Sequence, residues 1–138
     1  MSDCLFCKIA ARELDSEIVF EDSNCVAFLD NRPLFPGHVL LIPKLHCETL
    51  VDLPEEMVPP LFLNARVLTR AVEKGLACDG TFVAINNRVS QSVPHLHIHI
   101  VPRRKKDGLK GFFWPRKPYD GDDHAKDVAR AIRDAIAE

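Results

Sequence analysis

Three histidines alternate with apolar residues in one short segment, His95–Ile100, and this pattern is the strongest chemical signal in the sequence. Alternate side chains of a β-strand point to the same face, so the three imidazoles are predicted to share one face while leucine and isoleucine are buried on the other. Three adjacent imidazoles in a core would each need a hydrogen-bond partner. The pattern therefore predicts a functional site.

Two kinds of chemistry fit these histidines. Neighbouring strand histidines can bind one metal ion, with bonds of roughly 2.0–2.1 Å to zinc, but His95 and His99 would lie about 13 Å apart along a strand, which makes ligation by all three awkward. Alternatively, an imidazole with a pKa near ~6.5 is largely neutral in the cytosol and can attack phosphorus, while neighbouring donors stabilise the developing charge.

A polar stretch directly before the histidines favours phosphate chemistry. Asn86, Asn87, Ser90, Gln91 and Ser92 supply side chains that, with loop N–H groups, can donate hydrogen bonds to a phosphate. Taken alone, the same stretch is typical of an ordinary hairpin loop.

Cys4 and Cys7 form a Cys-x-x-Cys pair, a spacing found in metal sites and in redox pairs. A structural zinc site needs four nitrogen or sulfur ligands. The pair alone leaves metal binding, redox chemistry and coincidence open. Cys25, Cys47 and Cys78 are scattered singly, and we predict that they are small buried apolar residues.

The elements that must position these residues are predicted from hydrophobic periodicity. The predicted strands lie in residues 18–29, as two strands around the polar turn Glu21–Asn24, and in His38–Pro43, Thr81–Asn86 and His95–Pro102. Apolar residues recur at helical spacing from Leu61, and this pattern ends near Lys74–Gly75. A second, amphipathic helix is predicted over Asp123–Ala137. Strand pairs on both sides of one long helix indicate an α+β fold with an antiparallel sheet.

Length and charge narrow the class of protein. The 138 residues fit one domain, and 18 Lys and Arg against 20 Asp and Glu give a net charge of -2. We therefore expect no nucleic-acid partner, and the basic run Arg103–Lys106 is predicted to be a solvated loop. No apolar stretch approaches the roughly 20 residues of a membrane helix, so we expect a cytoplasmic protein without a membrane partner.

The histidine segment resembles the signature of the histidine triad (HIT) superfamily, in which three histidines alternate with apolar residues, His-φ-His-φ-His-φ-φ. His95–Val101 matches this signature. Gln91–Pro94 resembles the segment that precedes it in the nucleotide-binding and fragile-histidine-triad branches, and Pro36–Pro43 resembles the central strand of the family. The resemblance implies a nucleotide hydrolase of these branches.

The resemblance also implies an architecture. A HIT-like fold has an antiparallel sheet, one long central helix and a C-terminal helix. We expect residues 1–138 to form a single HIT domain, in which residues 4–103 match the family motifs and residues 104–138 form a C-terminal tail and helix. Homodimers are typical of the hydrolase branches, so a homodimer is expected here.

By the same resemblance His97 is the nucleophile. It would attack the α-phosphorus of a purine nucleotide and form a nucleotidyl-histidine that water hydrolyses. The phosphate-binding residues implied by the family are His99, Asn86, Gln91 and Ser92. The Ser92 hydroxyl is also expected to donate toward the leaving atom.

Further parts of the site come from the resemblance and from the residues themselves. By the resemblance Asp30 is expected to bind the ribose hydroxyls, and His38, a histidine on a predicted strand, is expected to be buried and to support the site. The base is expected to lie between the apolar side chains of Phe6, Ile9, Phe28 and Leu29. Trp114 is expected to pack the C-terminal helix onto the sheet, or to reach toward an active site.

The family comparison also completes a metal site. The galactose-1-phosphate uridylyltransferase branch and some bacterial HIT proteins combine Cys-x-x-Cys with two histidines. We therefore predict a structural zinc ion bound by Cys4, Cys7, His46 and His95. This ion would hold the N-terminal segment against the active-site strand without taking part in catalysis.

Three functions remain open at this point. The first is hydrolysis of a nucleoside phosphoramidate or a dinucleoside polyphosphate. The second is nucleotidyl transfer to phosphate or a sugar phosphate, which is disfavoured because that branch usually replaces the third histidine with glutamine, whereas this chain has His99. The third is a nucleotide-binding regulatory module with incidental turnover.

Overall fold

The computed structural model describes residues 3–110 and 115–136. The chain divides into two compact units, Met1–Asp107 and Gly108–Glu138. The predicted packing of Trp114 lies outside the described residues. No helix in the described part of the chain is both long and apolar enough to cross a bilayer.

The first unit contains an antiparallel sheet of five strands and two α-helices. In chain order these elements are α1 (Leu5–Ala10), β1 (Ile18–Glu21), β2 (Cys25–Leu29), β3 (Val39–Pro43), α2 (Val58–Gly75), β4 (Gly80–Ile85) and β5 (Ile98–Arg103). The strand order is β1-β2-β3-β5-β4, and all described neighbours pair antiparallel. Two short 3-10 turns, Leu50–Asp52 and Glu55–Met57, precede α2. The predicted α+β class is confirmed.

Helix α2 covers one face of the sheet. Its buried residues recur at the spacing of one helical face: Leu61, Ala65, Leu68 and Val72. The apolar repeat predicted from Leu61 is observed, and the helix begins at Val58, so that Pro59 and Pro60 lie in its first turn, where the missing N–H groups have no helical partner. Each fully buried aliphatic side chain on this face stabilises the fold by about 1.5–3 kcal/mol relative to exposure.

The opposite face of the sheet carries α1. Along β2, Ala27 faces the α2 cluster, whereas Val26 and Phe28 belong to the cluster that contains Phe6 and Ile9 of α1. Alternation along the strands separates these two clusters. Helix α1 therefore lies on the face of the sheet that is not covered by α2.

The histidine segment differs from its prediction. Strand β5 begins at Ile98, not at His95, and it extends to Arg103. The ladder starts where Ile98 pairs with Leu41 of β3, whereas the Leu96 N–H donates to the Cys47 carbonyl at 2.8 Å, beyond the end of β3. The first two histidines thus lie in the segment directly before the strand.

The second unit contains helix α3 (Asp122–Ile136), within one residue of the predicted start. Its apolar residues Ile132 and Ile136 are exposed.

Candidate functional site

His97 is buried on the α1 face of the sheet, one residue before β5. Its Nδ1 lies 2.7 Å from the His95 carbonyl oxygen. A carbonyl can only accept, so Nδ1 carries the proton and donates, and Nε2 keeps its lone pair. Burial lowers the pKa of His97 below its usual value, which favours this neutral, nucleophilic form.

A chain of hydrogen bonds fixes the tautomer of His99. The Leu34 N–H donates to His38 Nδ1 at 3.1 Å, so the proton of neutral His38 lies on Nε2. That nitrogen donates to His99 Nδ1 at 3.0 Å. Burial, followed by the neighbouring His97 and His38, lowers the pKa of His99 to about 4. His99 is therefore neutral at pH 7, with its own proton on Nε2.

A cleft of about 1180 Å³ opens beside these histidines. Its apolar lining includes Leu5, Phe6, Ile9, Phe28, Leu29 and Leu40. Its polar lining includes Asp30, Ser92, His97 and His99. Apolar walls with a few convergent polar groups are typical of a small-molecule site. The walls can pack against a flat ring, and the polar groups can bind the substituents of that ring.

The cleft brings together only part of the predicted phosphate-binding set. Among the described residues that line it, Asn86 and Gln91 do not occur. The Gln91 amide instead donates to the Glu48 carbonyl at 2.6 Å and accepts from the Arg88 N–H at 2.8 Å. The Asn86 amide donates to the Ser90 carbonyl at 3.3 Å. Both side chains close the loop that leads to Ser92.

Sequence reasoning missed the rim formed by Asp15, Ser16 and Glu17, which also lines the cleft. These residues follow α1 and precede β1, and nothing in their types or spacing separates them from an ordinary polar turn. It also missed the bond between His38 and His99. The register that pairs Leu40 with His99 brings these two segments together, and a sheet order is needed to find it.

The four predicted metal ligands lie together beside the cleft. The ligand atoms of Cys4, Cys7, His46 and His95 are all within 4.8 Å of one another. Sulfur and Nδ1 atoms are 3.4 Å apart for Cys4 and His95, 3.3 Å for Cys7 and His46, and 3.5 Å for Cys7 and His95. The two Nδ1 atoms of the histidines are 3.2 Å apart.

These separations fit a tetrahedral zinc ion. Bonds of about 2.3 Å to sulfur and 2.0–2.1 Å to nitrogen place sulfur and nitrogen ligands about 3.5 Å apart, and two nitrogens about 3.3 Å apart. His95 Nε2 donates to the Pro43 carbonyl at 2.8 Å, which leaves Nδ1 free as a ligand. Burial and the neighbouring Cys4 raise the pKa of the Cys7 thiol to about 11, so a metal ion that binds Cys7 must displace its thiol proton.

Local structure places the two cysteines. Cys4 is the N-cap of α1, and its sulfur accepts the Cys7 N–H at 3.4 Å. A residue at the N-cap and one three positions later lie on the same side of the first helical turn. Both sulfurs therefore point to the same place, where His46 and His95 meet them.

Comparison with known proteins supports one family. A sequence profile of the HIT domain matches residues 11–106. The adenylylsulfatase HINT3 of Arabidopsis thaliana is 37% identical over 110 residues, which make up 78% of this chain and 56% of that protein, so the chain spans little more than half of this relative. The adenosine 5'-monophosphoramidase HNT1 of Saccharomyces cerevisiae is 36% identical over 122 residues, 86% of this chain and 74% of that protein.

A solved structure carries a similar fold with a metal. The crystal structure of a Zn-bound histidine triad family protein from Mycobacterium smegmatis has a TM-score of 0.74 and 34% sequence identity, and the match covers 99% of each chain. The profile match spans more than half of this chain, and the yeast relative is more than 30% identical across 74% of its length. The chain therefore belongs to the HIT family.

Proposed function

We propose that this protein is a nucleotide hydrolase in which His97 attacks the α-phosphorus of a purine nucleotide. The observation that carries the proposal is the tautomer of His97, because the 2.7 Å bond from Nδ1 to the His95 carbonyl leaves Nε2 as the free nucleophilic nitrogen. The hydrolase names of the Arabidopsis and yeast relatives support nucleotide hydrolysis as the class of reaction.

The reaction has two steps. In the first, a bond forms between His97 Nε2 and phosphorus while the bond to the leaving group breaks, and the leaving atom departs with the electron pair and takes a proton from Ser92. In the second, the oxygen of a water molecule bonds to phosphorus and the water returns a proton to Ser92, while the nitrogen–phosphorus bond breaks and its electron pair returns to His97. Its Nδ1–H bond to the His95 carbonyl stabilises the charged imidazole between the two steps.

The remaining site residues bind the nucleotide. The Nε2–H of His99 donates to the phosphoryl oxygens, whereas the amides of Asn86 and Gln91, which do not line the cleft, hold the loop that leads to Ser92. Asp30 accepts from the ribose hydroxyls. Its Oδ1 already accepts the Arg32 N–H at 2.9 Å, which holds the carboxylate in place.

We also propose a structural zinc ion held by Cys4, Cys7, His46 and His95. The ligand separations support this proposal. Such an ion supplies a rigid link between the N-terminal segment and the histidine segment. Metal analysis of protein purified without a polyhistidine tag should find zinc at near one equivalent, and a clear absence of metal would overturn the proposal.

The assembly that we propose is a homodimer in the cytoplasm. Helix α2 turns apolar side chains outward, with Leu63 59% and Val67 52% exposed. Strand β4 is the edge of the sheet next to this helix in the chain. An exposed apolar helix face beside an open sheet edge is typical of a surface that a second copy covers.

One experiment tests the chemistry. The protein and its His97→Ala variant are incubated with adenosine 5'-phosphoramidate and with diadenosine polyphosphates, and AMP release is followed. We expect turnover by the wild type and none by the variant, with AMP binding retained in both. The faster substrate identifies the leaving group. Nucleotide binding without AMP release from either protein would instead support a nucleotide-binding regulatory module.

A further inference from the structure

Helix α1 takes part in two sites at once. Its N-cap Cys4 and first-turn Cys7 supply two ligands of the metal site. Between and beyond them, Leu5, Phe6 and Ile9 line the cleft. This short helix and its N-cap residue therefore form one wall of the cleft and half of the metal site.

This helix has few other attachments. In the part of the chain that the structure describes, the backbone hydrogen bonds of residues 4–13 all stay within that segment. The side-chain ion pair of Arg12 with Glu21 is exposed, and exposed ion pairs contribute little to stability. A helix of this length is not stable by itself in water. Its position depends on its apolar contacts and on the groups that hold its two sulfurs.

Phe6 connects the two sites directly. Its side chain is 5% exposed. The ring meets the His97 ring edge-on, with centroids 5.0 Å apart, and it lies 6.1 Å from the ring of the metal ligand His95. A third edge contact, at 5.3 Å, joins it to Phe28 on β2. Displacement of α1 would therefore remove an apolar wall from the cleft and a contact from the nucleophile.

We propose that the metal site and the nucleotide cleft are thermodynamically coupled through α1, and that Phe6 is the residue that transmits the coupling. This inference rests on the proposed zinc site and on the proposed nucleotide chemistry. Metal binding fixes α1 in the position that completes the cleft. A nucleotide in the cleft binds to the protein in which α1 has this same position. Each ligand must then raise the affinity for the other by the same factor.

The test measures both affinities on the full-length protein. Calorimetric titration gives the Kd of AMP for protein stripped of metal with a chelator and for the same protein reloaded with one equivalent of zinc. Competition with a chromophoric chelator gives the zinc affinity with and without saturating AMP. We expect about tenfold tighter AMP binding in the zinc form, within the usual range of coupling between sites, and an equal rise in zinc affinity.

A pair of variants isolates Phe6. In Phe6→Ala all four ligands remain, so zinc still binds at one equivalent, but we expect AMP and zinc to bind independently of each other. Cys78→Ser is the matched control: this thiol lies outside the metal site and donates to the Gly80 carbonyl, and the coupling should be unchanged. Hydrogen exchange of residues 4–13 should slow in the presence of either ligand.

Each contrary result has a distinct meaning. An equal Kd of AMP in the stripped and zinc-loaded proteins, with both ligands bound, would overturn the coupling alone. Coupling that persists in Phe6→Ala would overturn the assignment of Phe6. If zinc does not bind, the proposed metal site is wrong and the coupling is overturned with it. If AMP does not bind to the zinc-loaded protein, the proposed function is wrong and the coupling is likewise overturned.

Discussion

The imidazoles of this site differ in function because their protons lie on different nitrogens. His97 donates from Nδ1 to a carbonyl, whereas His99 accepts at Nδ1 from His38. Two histidines on one face thus present opposite groups: a lone pair on one and an N–H on the other. Residue types and spacing predicted a site, but only the partners of each nitrogen distinguish nucleophile from donor.

Substitution of His38 tests the hydrogen-bond chain. His38→Leu removes the donor to His99 Nδ1, so the proton of His99 is free to move to Nδ1 and its Nε2 no longer donates to phosphate. We expect kcat to fall by about 10- to 100-fold, which is the rate change that corresponds to the loss of one hydrogen bond to a charged group. His38→Gln, which keeps an acceptor and a donor, should recover part of the loss. Equal activity in wild type and His38→Leu would show that the chain does not set the tautomer.

The low pKa of His99 makes stability depend on pH. Burial, followed by the neighbouring His97 and His38, lowers the pKa of His99 to about 4 in the folded protein, against about 6.5 for an exposed histidine. The unfolded chain therefore binds the extra proton first, and the free energy of unfolding falls as the pH drops from about 6.5 toward 4. This contribution is fully present above pH 6.5. Urea unfolding at pH 7.5 and 5.5 should show a smaller loss for His99→Gln than for wild type, and parallel losses would contradict the assignment.

At the scale of elements, the sharp turn at Gly37 places His38 directly before β3. Gly37 has φ of +99°, and a Cβ there would lie 2.2 Å from Leu76 Cδ1. Gly37→Ala should therefore lower the free energy of unfolding by about 1–3 kcal/mol. Gly75→Ala is the matched control, because no atom lies within 4 Å of its Cβ position and alanine favours the helix. Chemical denaturation compares the two, and equal stabilities would contradict the strain argument.

Elements with a clear periodicity could be predicted from the sequence, and others could not. The apolar repeat of α2 and the runs of β2 and β3 gave their positions to within a few residues. Helix α1 has only six residues, which is too short for a periodic signal, and its position depends on residues distant in the chain. The start predicted for β5 is too early for the same reason. A strand begins where its backbone pairs with neighbouring strands, and the sheet order determines which strands those are.

The residues of the site are also brought together by segments that are distant in the chain. The grouping of Cys4, Cys7, His46 and His95 depends on the family resemblance, and the structure brings their ligand atoms together. The polar rim at Asp15–Glu17 belongs to the cleft only because α1 folds back over the sheet. That these residues line the cleft could not be inferred from local sequence.

At the scale of the whole molecule, the outward face of α2 predicts self-association. Val67→Glu places a carboxylate in the proposed contact, and a two-fold axis repeats it in the partner. An unpaired charge at an interface costs several kcal/mol, so the dissociation constant of the dimer should rise by at least about 100-fold.

Val19→Glu is the matched control, since Val19 lies on β1 at the other edge of the sheet and is 48% exposed against 52% for Val67. Sedimentation velocity at low concentration should show a dimer for wild type and Val19→Glu and a monomer for Val67→Glu. A monomeric wild type, or a Val67→Glu variant that still dimerises, would show that this face is not the contact.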